Sequence, residues 1–472
     1  VLFRSLIDLK SLPSEWKIAI IAPKFKKGSP PIPPPILQNY RPIALTSACC
    51  KILETFISQN LIDYLHTHNL ISPHQHGFLK HHSTSTNLLE SLNDWTSSLS
   101  NHKSVSIAYI DFKSAFDSIS HLKLLHKLAN YGIKGNLYFW IQAFLTDRCQ
   151  MVRIGSSYST LRSVISGVPQ GSVLGPLLFN LFINDITDGL DSATHAKLFA
   201  DDIKLYTEFS NISPSNLQSQ LNIIVQLSQD WQLKISFSKC NLLSLGSHHL
   251  PTTFHLDNNL IAQTDSVKDL GISIDSKLNF KNHINEITSK AKQRSSLISR
   301  CFLSKNHHNL IRAFKIYVRP LLEYSSTTWS PSSVGQILQL ESVQRFFTEL
   351  IPGLQNTDYA SRLNILKLQS LEHRRLIADL IMCYNIIKKF NCLNPTNFFV
   401  SNQNKSLRGH HFKLVVPLSK LKVRQSFFSS RVIPVWNSLP SQLVSVTSTH
   451  AFKAGLNKTD LNKYLIFPSP LF

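Results

Sequence analysis

The sequence predicts an α+β fold in which a mixed region of strands and helices precedes a region that is almost entirely helical. Short apolar runs rich in β-branched residues alternate with helical patterns up to residue 277, whereas from His283 to about Phe390 apolar residues recur at helical spacing. The chain is also too long, at 472 residues, for one compact core. We therefore expect three parts: a mixed unit over 1–277, a helical unit over 278–395 and a basic C-terminal region over 396–472.

The composition indicates a folded protein with a polyanionic partner. Apolar residues make up 43% of the chain, and 49 Lys and Arg against 28 Asp and Glu give a formal net charge of +21. This excess favours nucleic acid over a membrane, because neither a long uncharged apolar run nor a basic amphipathic helix stands out. A merely soluble basic protein is the alternative. The seven cysteines form no Cys-x-x-Cys pair, which argues against a zinc knuckle or a secreted disulfide framework and indicates a reducing compartment.

Periodicity assigns the elements in chain order. Helices are predicted over Ala48–His66 and Asn87–Leu99, within Leu122–Leu145, and over Leu177–Ile186 and Asn216–Trp231. Strands are predicted over Trp16–Ile21, directly after Arg41-Pro42, over Ser104–Phe112, on both sides of Asp201-Asp202, over Leu233–Phe237 and within Thr253–Ile274. Residues 113–121 are expected to turn into a helix, 29–35 to form a polyproline spacer, and the chain past Asn391 to be irregular. Because it opens with Val1, we expect it to begin inside a longer reading frame.

The pair Asp201-Asp202 is the only place where two acidic residues are adjacent in the sequence. Two such carboxylates repel each other and resist burial unless a cation lies between them. On the pair alone, a surface turn is the simpler interpretation. Asp111 ends a predicted buried strand, a position that suits either chemistry or the capping of a following helix. The Gly- and Pro-punctuated loop Ser166–Pro176 lies between the two acidic positions, and its Gln170 offers one donor and one acceptor.

Together, Asp111, Asp201 and Asp202 would suit two divalent cations about 3.5–4 Å apart. Mg²⁺ prefers carboxylate and phosphate oxygens, and such a pair activates a hydroxyl and stabilises in-line displacement at phosphorus. The surrounding Lys and Arg residues would hold phosphates. The residues therefore indicate two-metal nucleotidyl transfer on nucleic acid, with a metal-dependent nuclease as the alternative.

An ordered set of motifs resembles the reverse transcriptases of non-LTR (LINE-type) retrotransposons, of the CR1 and jockey-like groups. The matching segments cover nearly the whole chain: Trp16–Gly28, Asn39–Ser47, Gln75–Phe78, Asp111–Asp117, Ser166–Pro176, Phe199–Asp202, Trp231–Cys240, Leu270-Gly271, Val318–Tyr324, Trp329–Pro331, Leu371–Arg375, Phe427–Val432 and Trp436–Pro440. The chain departs from the pattern at His81 and His82, where relatives commonly have basic or glycine residues, and it lacks the family's upstream endonuclease domain.

The resemblance implies a right-hand polymerase with fingers and palm in 1–277, the palm being an antiparallel sheet packed on helices, a helical thumb in 278–395 and a basic C-terminal region in 396–472. It implies RNA-directed DNA synthesis from a 3′-OH primer, as in target-primed reverse transcription, using an RNA template, a DNA primer, dNTPs and two Mg²⁺ or Mn²⁺ ions. It also implies an intracellular protein, nuclear after a cytoplasmic ribonucleoprotein stage. The alternatives are a catalytically idle RNA-binding remnant and a telomerase-like or intron-encoded polymerase.

The resemblance also assigns roles to residues around the acidic positions. Asp111 and Asp201 would bridge both metals, with Asp202 beside them and the Phe112 carbonyl completing a coordination shell. Phe116 would clash with a ribose 2′-OH and so exclude ribonucleotides, with simple core packing as the less favoured alternative.

Further roles concern the nucleotide and its phosphates. Gln170 and Gly171 would lie along the incoming nucleotide and the template base. Lys239 would act as general acid for the pyrophosphate leaving group. Three basic residues of the fingers would contact triphosphate or template phosphates: Arg41, Lys24 and Lys80.

Overall fold

The computed structural model describes residues 2–26, 39–210, 216–247, 253–402 and 409–468. The predicted polyproline spacer at 29–35 lies outside these residues. The described strands are β1 (Ile18–Phe25), β2 (Tyr40–Leu45), β3 (Ser104–Ile110), β4 (Arg148–Ile154), β5 (Ser157–Tyr158), β6 (Arg162–Val164), β7 (Thr194–Phe199), β8 (Asp202–Phe209), β9 (Asn241–Leu245), β10 (His255–Leu256), β11 (Asn259–Leu260), β12 (Ala262–Gln263), β13 (Ser266–Asp269) and β14 (Ile272–Asp275).

Helices precede, separate and follow these strands. They are α1 (Leu2–Asp8), α2 (Ala48–Thr67), α3 (Thr84–Ser100), α4 (His121–Asn130), α5 (Gly135–Leu145), α6 (Gly175–Ile183), α7 (Leu217–Asp230), α8 (Lys281–Cys301), α9 (His307–Ala313), α10 (Arg319–Glu323), α11 (Ser326–Trp329), α12 (Val334–Glu349), α13 (Tyr359–Leu366), α14 (Leu371–Ile387), α15 (Pro395–Phe398), α16 (Lys422–Ser426), α17 (Phe428–Ser438), α18 (Ser441–Val444) and α19 (Thr449–Leu456). Short 3₁₀ turns cover Ser14–Lys17, Ala115–Asp117, Phe237–Lys239 and Asn462–Tyr464, and a π-helix covers Phe314–Val318.

The central sheet has the strand order β12-β9-β3-β8-β7, with β3 antiparallel to both β8 and β9 and β7 antiparallel to β8. Side chains of β3 are buried on both faces. Ile107 joins a core that contains Trp95 of α3, whereas Ile110 joins a second core that contains Phe179 of α6. An antiparallel sheet with helices on both faces follows from this alternation. The predicted α+β class and the predicted packing of the sheet on helices are confirmed.

A second sheet has the order β2-β1-β4-β5, with β6 attached to β4. Its β1 extends over Ile18–Phe25, so the strand predicted over Trp16–Ile21 starts and ends too early. Trp16 lies instead in a 3₁₀ turn, and the strand continues through Pro23 because β2 pairs with it antiparallel as far as Phe25. The strands β4 to β6 were not predicted from the sequence.

Local hydrogen bonds explain two further differences from the prediction. Helix α3 starts at Thr84 rather than Asn87, because Ser83 and Thr86 form a reciprocal capping box: the Ser83 hydroxyl accepts from the Thr86 amide at 3.1 Å, and the Thr86 hydroxyl accepts from the Ser83 amide at 2.9 Å. The strand predicted over Leu233–Phe237 is wrong, since only Ile235 pairs, with Phe112, before a 3₁₀ turn begins.

The chain past Asn391 was predicted to be irregular, and this is also wrong. Helix α17 buries Phe428, Val432 and Trp436 in the same core that holds Trp95 and the helices from α8 onward. Arg431 of α17 donates two hydrogen bonds of 2.9 Å to the buried carboxylate of Asp379. The domain boundaries at 277 and 395 stay predictions, and apolar packing crosses both of them. Among the described helices, none combines the length and apolarity that crossing a membrane would need.

The turn between β7 and β8 is held from behind by the segment that starts at Gln75. The side-chain oxygen of buried Gln75 accepts from the amides of Gly77 at 2.7 Å and Ala200 at 2.9 Å. Ala200 has φ +56°, a conformation that costs an alanine about 1–3 kcal/mol and needs such support. A Cβ on Gly77 would lie 2.4 Å from the Ala200 nitrogen, so only glycine permits this approach.

We predict that Gly77→Ala destabilises the protein by about 1–3 kcal/mol, because the added methyl group overpacks against a backbone atom that cannot rotate away. Gly335→Ala is the matched control, since a Cβ there meets nothing within 4 Å and Gly335 lies in α12. Ala is the better helix former by about 1 kcal/mol, so the control should be neutral or stabilising. The midpoint of thermal unfolding measures both, and equal shifts for the two variants would contradict the close packing at Gly77.

Candidate catalytic and nucleotide site

Strand register brings the three predicted carboxylates to one edge of the central sheet. Ile110, the last residue of β3, pairs with Ile203 of β8, so the next opposed positions are Asp111 and Asp202. Asp201 lies in the two-residue turn between Phe199 and Asp202, which pair with each other. The prediction that Asp111 and the acidic hairpin lie on adjacent strands is confirmed.

The electrostatics of the aspartates reflect burial and mutual repulsion. Burial is the main cause that raises the pKa of Asp202 to about 7, and the charges of Asp201, Asp111 and Asp269 raise it further. Burial also raises the pKa of Asp201, with Asp111 adding to the effect. Carboxylates whose acidic neighbours raise their pKa in this way form an anionic site that favours a cation.

Asp111 is not a helix cap. Its side chain accepts a hydrogen bond from Lys239 Nζ at 3.0 Å, and its carbonyl accepts from the Ser236 amide at 2.7 Å. The following helix, α4, begins only at His121 and is capped by Ser120, with a 3₁₀ turn in between. Residues 113–121, predicted to turn into a helix, are therefore mostly turn. Of the two roles considered for Asp111, helix capping is excluded by this geometry.

The donors at this edge fit hard divalent cations. All are oxygens, the preferred ligands of Mg²⁺ and Mn²⁺. The carbonyl of Asp111 points to Ser236, and successive carbonyls alternate along an extended chain, so the carbonyl of Phe112 points to the side where β8 lies. Among the described residues, three ligand atoms lie mutually within 4.8 Å only at His76, His82 and Cys392.

Phe116 lies beside the acidic edge, in the 3₁₀ turn Ala115–Asp117. Its ring stacks on Phe179 with centroids 4.3 Å apart and planes at 15°, and the ring of Phe78 meets it edge-on at 6.2 Å. Stacking of this kind fixes the position of a ring. The ring is half-buried, so it packs against the core while part of it stays accessible to solvent.

Gln170 and Gly171 are fixed between the turn after β3 and strand β2. The Gln170 side-chain amide donates to the Asp117 carboxylate at 2.8 Å. The backbone carbonyl of Gln170 accepts from the Ala44 amide at 2.7 Å. Gly171 has φ +126°, and a Cβ there would lie 2.5 Å from the Ala44 carbonyl oxygen, which excludes other residues. Burial raises the pKa of Asp117, while Gln170 and Lys26 act in the opposite direction. Sequence reasoning included Asp117 in a motif but gave it no role.

A cleft of about 1160 Å³ opens beside these residues. Its polar lining is Lys26, Asn39, Lys113, Ser114, Asp117, Ser236, Ser238 and Lys239, and its apolar lining comes mainly from Ile21, Pro23, Tyr40, Pro42, Val152 and Ile154. The cleft joins the acidic edge to the hairpin β1–β2, and its basic side chains suit a phosphorylated ligand.

Three basic residues predicted to contact phosphates lie away from this lining. Lys24 and Arg41 pair with each other across β1–β2, and both are exposed. Pro23 and Pro42, the next pair along, line the cleft, and because side chains alternate, Lys24 and Arg41 occupy the opposite face of the hairpin. Lys80 is also exposed. Their phosphate contacts stay predictions.

The buried ion pair of Lys204 and Asp269 was missed from the sequence. Lys204 Nζ lies 2.6 Å from Asp269 Oδ2, and the two side chains are only 3% and 6% exposed. Lys204 follows Asp202 by two residues on β8, so both side chains share a face. A lysine in the middle of an apolar strand is the signal that could have shown it, because a buried lysine requires a partner.

Comparison with known proteins gives the family. Residues 25–274 match the family model described as reverse transcriptase (RNA-dependent DNA polymerase). The RNA-directed DNA polymerase from mobile element jockey of Drosophila melanogaster is 27% identical over 365 residues, which are 75% of this chain and 39% of the relative. The probable RNA-directed DNA polymerase from transposon BS of the same organism is 28% identical over 362 residues, covering 73% and 39%.

More distant proteins are similar over smaller shares or at lower identity. The Pol polyprotein from the type-1 retrotransposable element R2 of Popillia japonica is 26% identical over 49% of this chain and 34% of its own. A solved structure of apo telomerase from Candida tropicalis matches 78% of this chain and 62% of its own at 12% identity, with a TM-score of 0.45.

The chain spans about two fifths of the length of the jockey and BS relatives. The resemblance to jockey-like non-LTR retrotransposon polymerases, predicted from the motifs, is confirmed by these relatives. The family model covers more than half of the 472 residues. The chain belongs to the reverse transcriptase (RNA-dependent DNA polymerase) family.

Proposed function

We propose that this chain extends the 3′-OH of a DNA primer with dNTPs on an RNA template, by two-metal nucleotidyl transfer. The observation that supports this most is the register of β3, β7 and β8, which gathers Asp111, Asp201 and Asp202 at one sheet edge. Family membership supports RNA as the template and DNA as the product. Similarity to the RNA-directed DNA polymerase from mobile element jockey supports a role in a non-LTR retrotransposon. We further propose target-primed synthesis in the nucleus, with a cytoplasmic ribonucleoprotein stage.

The proposed division of labour begins with the metal ions. Asp111, Asp201 and Asp202 would hold two Mg²⁺ ions, with the Phe112 carbonyl as a further oxygen ligand. When bound, the ions would lower the pKa of the primer 3′-hydroxyl and stabilise the charge that develops at phosphorus. Lys239 would be released from Asp111 when that carboxylate holds an ion, because its contact with Asp111 is an exposed ion pair, which contributes little stability.

The remaining residues bind and select the nucleotide. Lys239 is then free to donate a proton to the pyrophosphate oxygen that leaves, and Lys113, on the same cleft, neutralises the triphosphate. Gln170 and Gly171, fixed by Asp117 and Ala44, form a wall for the base pair. The stacked ring of Phe116 excludes a ribose 2′-OH.

The first test of this function concerns the acidic hairpin. Asp201→Ala combined with Asp202→Ala should lower primer extension about 10³-fold or more, because carboxylates that hold the ions are lost. Asp63→Ala, at an exposed position of α2, is the control and should leave the rate unchanged. The assay uses an RNA template, a DNA primer, dNTPs and Mg²⁺, with and without chelator. If the folded wild-type protein shows no extension, the alternative of an idle RNA-binding remnant holds; extension that survives in the double variant contradicts the metal assignment.

The second prediction concerns sugar selection. Phe116→Val should raise incorporation of ribonucleotides relative to deoxyribonucleotides about 10-fold or more, since loss of the steric clash removes at least ~1.4 kcal/mol of discrimination. Phe116→Tyr keeps the ring and should retain selectivity. Single-nucleotide extension with dNTP and rNTP gives kcat/KM for each. Unchanged discrimination in a folded Val variant would assign Phe116 to core packing alone.

A third prediction separates two roles for Lys239. If Lys239 is the general acid, Lys239→Ala should lower the extension rate about 10²-fold or more. Lys239→Arg keeps the positive charge but cannot give up its proton, so it should not restore the rate. Recovery in the Arg variant would show that charge beside Asp111 is sufficient. Single-turnover extension measures the chemical step without product release.

A further inference from the structure

A cluster of metal-binding side chains lies outside the acidic site. One nitrogen of His76, one of His82 and Cys392 Sγ all lie within 4.8 Å of one another, and Cys392 Sγ is 3.9 Å from His76 Nδ1. His76 is buried, whereas His82 and Cys392 are half-buried, which leaves a path for an ion to enter. The cysteine is 316 residues away from His76 in sequence, so tertiary structure alone assembles the set.

Each histidine has its second nitrogen engaged by an acceptor. His76 Nε2 lies 3.1 Å from Glu90 Oε2, and Lys197 Nζ lies 3.0 Å from the same oxygen and keeps Glu90 an acceptor. His76 therefore carries its proton on Nε2, and its Nδ1 lies 3.0 Å from the Thr86 hydroxyl and 3.9 Å from Cys392 Sγ, so that an ion bound at Nδ1 would replace the Thr86 contact. His82 Nδ1 lies 2.8 Å from the Lys80 carbonyl, which can only accept, so its lone pair is on Nε2. Hydrogen bonds to carboxylate and carbonyl groups orient metal-ligating histidines in this way.

The spacing suits tetrahedral zinc. Bonds of about 2.0–2.1 Å to nitrogen and 2.3 Å to sulfur place neighbouring ligand atoms about 3.3–3.6 Å apart, so separations within 4.8 Å need to contract by up to about 1.5 Å. The donor set of nitrogen and sulfur selects Zn²⁺ over Mg²⁺ and Mn²⁺, which prefer oxygen. Three protein ligands leave one position open, and the Thr86 hydroxyl, 3.0 Å from His76 Nδ1, lies beside it.

We propose that His76, His82 and Cys392 bind one Zn²⁺ ion, with Glu90 as the carboxylate that orients His76. The site is separate from the acidic edge in both position and donor chemistry. It uses two residues, His81 and His82, that set this chain apart from the motif it resembles: His82 is a ligand, and His81 Nδ1 contacts the carbonyl of Phe390 at 3.1 Å beside the cysteine.

The zinc would cross-link two distant parts of the chain. The segment that follows helix α14 already touches the loop 76–82, since the Cys392 amide donates to the His81 carbonyl. That loop also supports the acidic hairpin, because the His76 amide donates to the Leu198 carbonyl at 2.9 Å and Gln75 holds Ala200. A metal at this point therefore fixes the helical region relative to the turn that carries Asp201.

Direct metal binding tests the site without template, primer or nucleotide. The full chain, produced without a polyhistidine tag, is stripped with chelator and titrated with Co²⁺ and then Zn²⁺. One equivalent of Co²⁺ should give a thiolate-to-metal charge-transfer band and the visible bands of tetrahedral Co²⁺, and Zn²⁺ should abolish both. Excess Mg²⁺ should not. Zn²⁺ should also raise the midpoint of thermal unfolding, because it binds only the folded arrangement.

Variants locate the ion. Cys392→Ser should remove the charge-transfer band and the thermal shift, His82→Gln should remove one ligand, and Glu90→Gln should weaken binding about 10–100-fold. Cys301→Ser, at an exposed cysteine, is the matched control and should bind as the wild type does. The proposal is overturned if the folded wild-type chain binds no Co²⁺, or if Cys392→Ser retains the charge-transfer band. Should Cys392→Ser not fold, the His82→Gln variant replaces it: Co²⁺ binding as tight as in the wild type would overturn the proposal. Because no polymerisation is measured, a chain that binds zinc but does not extend primers would contradict only the function proposed above.

Discussion

The site depends on one strained turn. Ala200 takes a positive φ so that two residues can connect β7 to β8, and this places Asp201 at the tip and Asp202 at the first position of β8. The turn keeps this shape because Gln75 accepts from the Ala200 amide and Gly77 allows the backbones to touch. Removal of the buried Gln75 side chain would leave two amides without an acceptor, at about 1–3 kcal/mol each. The segment Gln75–Gly77 thus shapes the acidic edge without supplying any of its carboxylates.

Electrostatics explain why the edge is poised for cations. The three carboxylates lie at one sheet edge; Lys239 pairs with Asp111, whereas Lys204 is committed to Asp269, which is not one of the three. Desolvation and the charges of neighbouring carboxylates raise the pKa of Asp202 to about 7, although Lys204 acts in the opposite direction. A bound divalent ion would relieve the repulsion between carboxylates that these lysines leave, because it contacts several carboxylate oxygens at once.

Local patterns revealed the fold class, the central strands and the aspartates. Asp111 and Asp201-Asp202 were visible because a carboxylate interrupts an apolar run, which is a feature of a few adjacent residues. The contacts that complete the site were not visible, since Lys239 reaches Asp111 and Gln170 reaches Asp117 across 128 and 53 positions. The helices past Asn391 were missed for a related reason. Helix α17 contains Pro434 and lies between short helices, so its local pattern is weak. Its stability comes from burying Phe428 and Trp436 against helices distant in sequence.

The position of the His76, His82 and Cys392 cluster links these observations. Consecutive residues of one short loop serve two purposes: Gln75 and Gly77 hold the acidic turn, and His76 and His82 face the cysteine that follows α14. The backbone contact between His81 and Cys392 is a hydrogen bond of 3.3 Å, and it adjoins the contact of His81 Nδ1 with the Phe390 carbonyl. A metal ion bound there would stabilise the loop that supports the turn containing Asp201. Zinc would thus act on the geometry of the acidic edge.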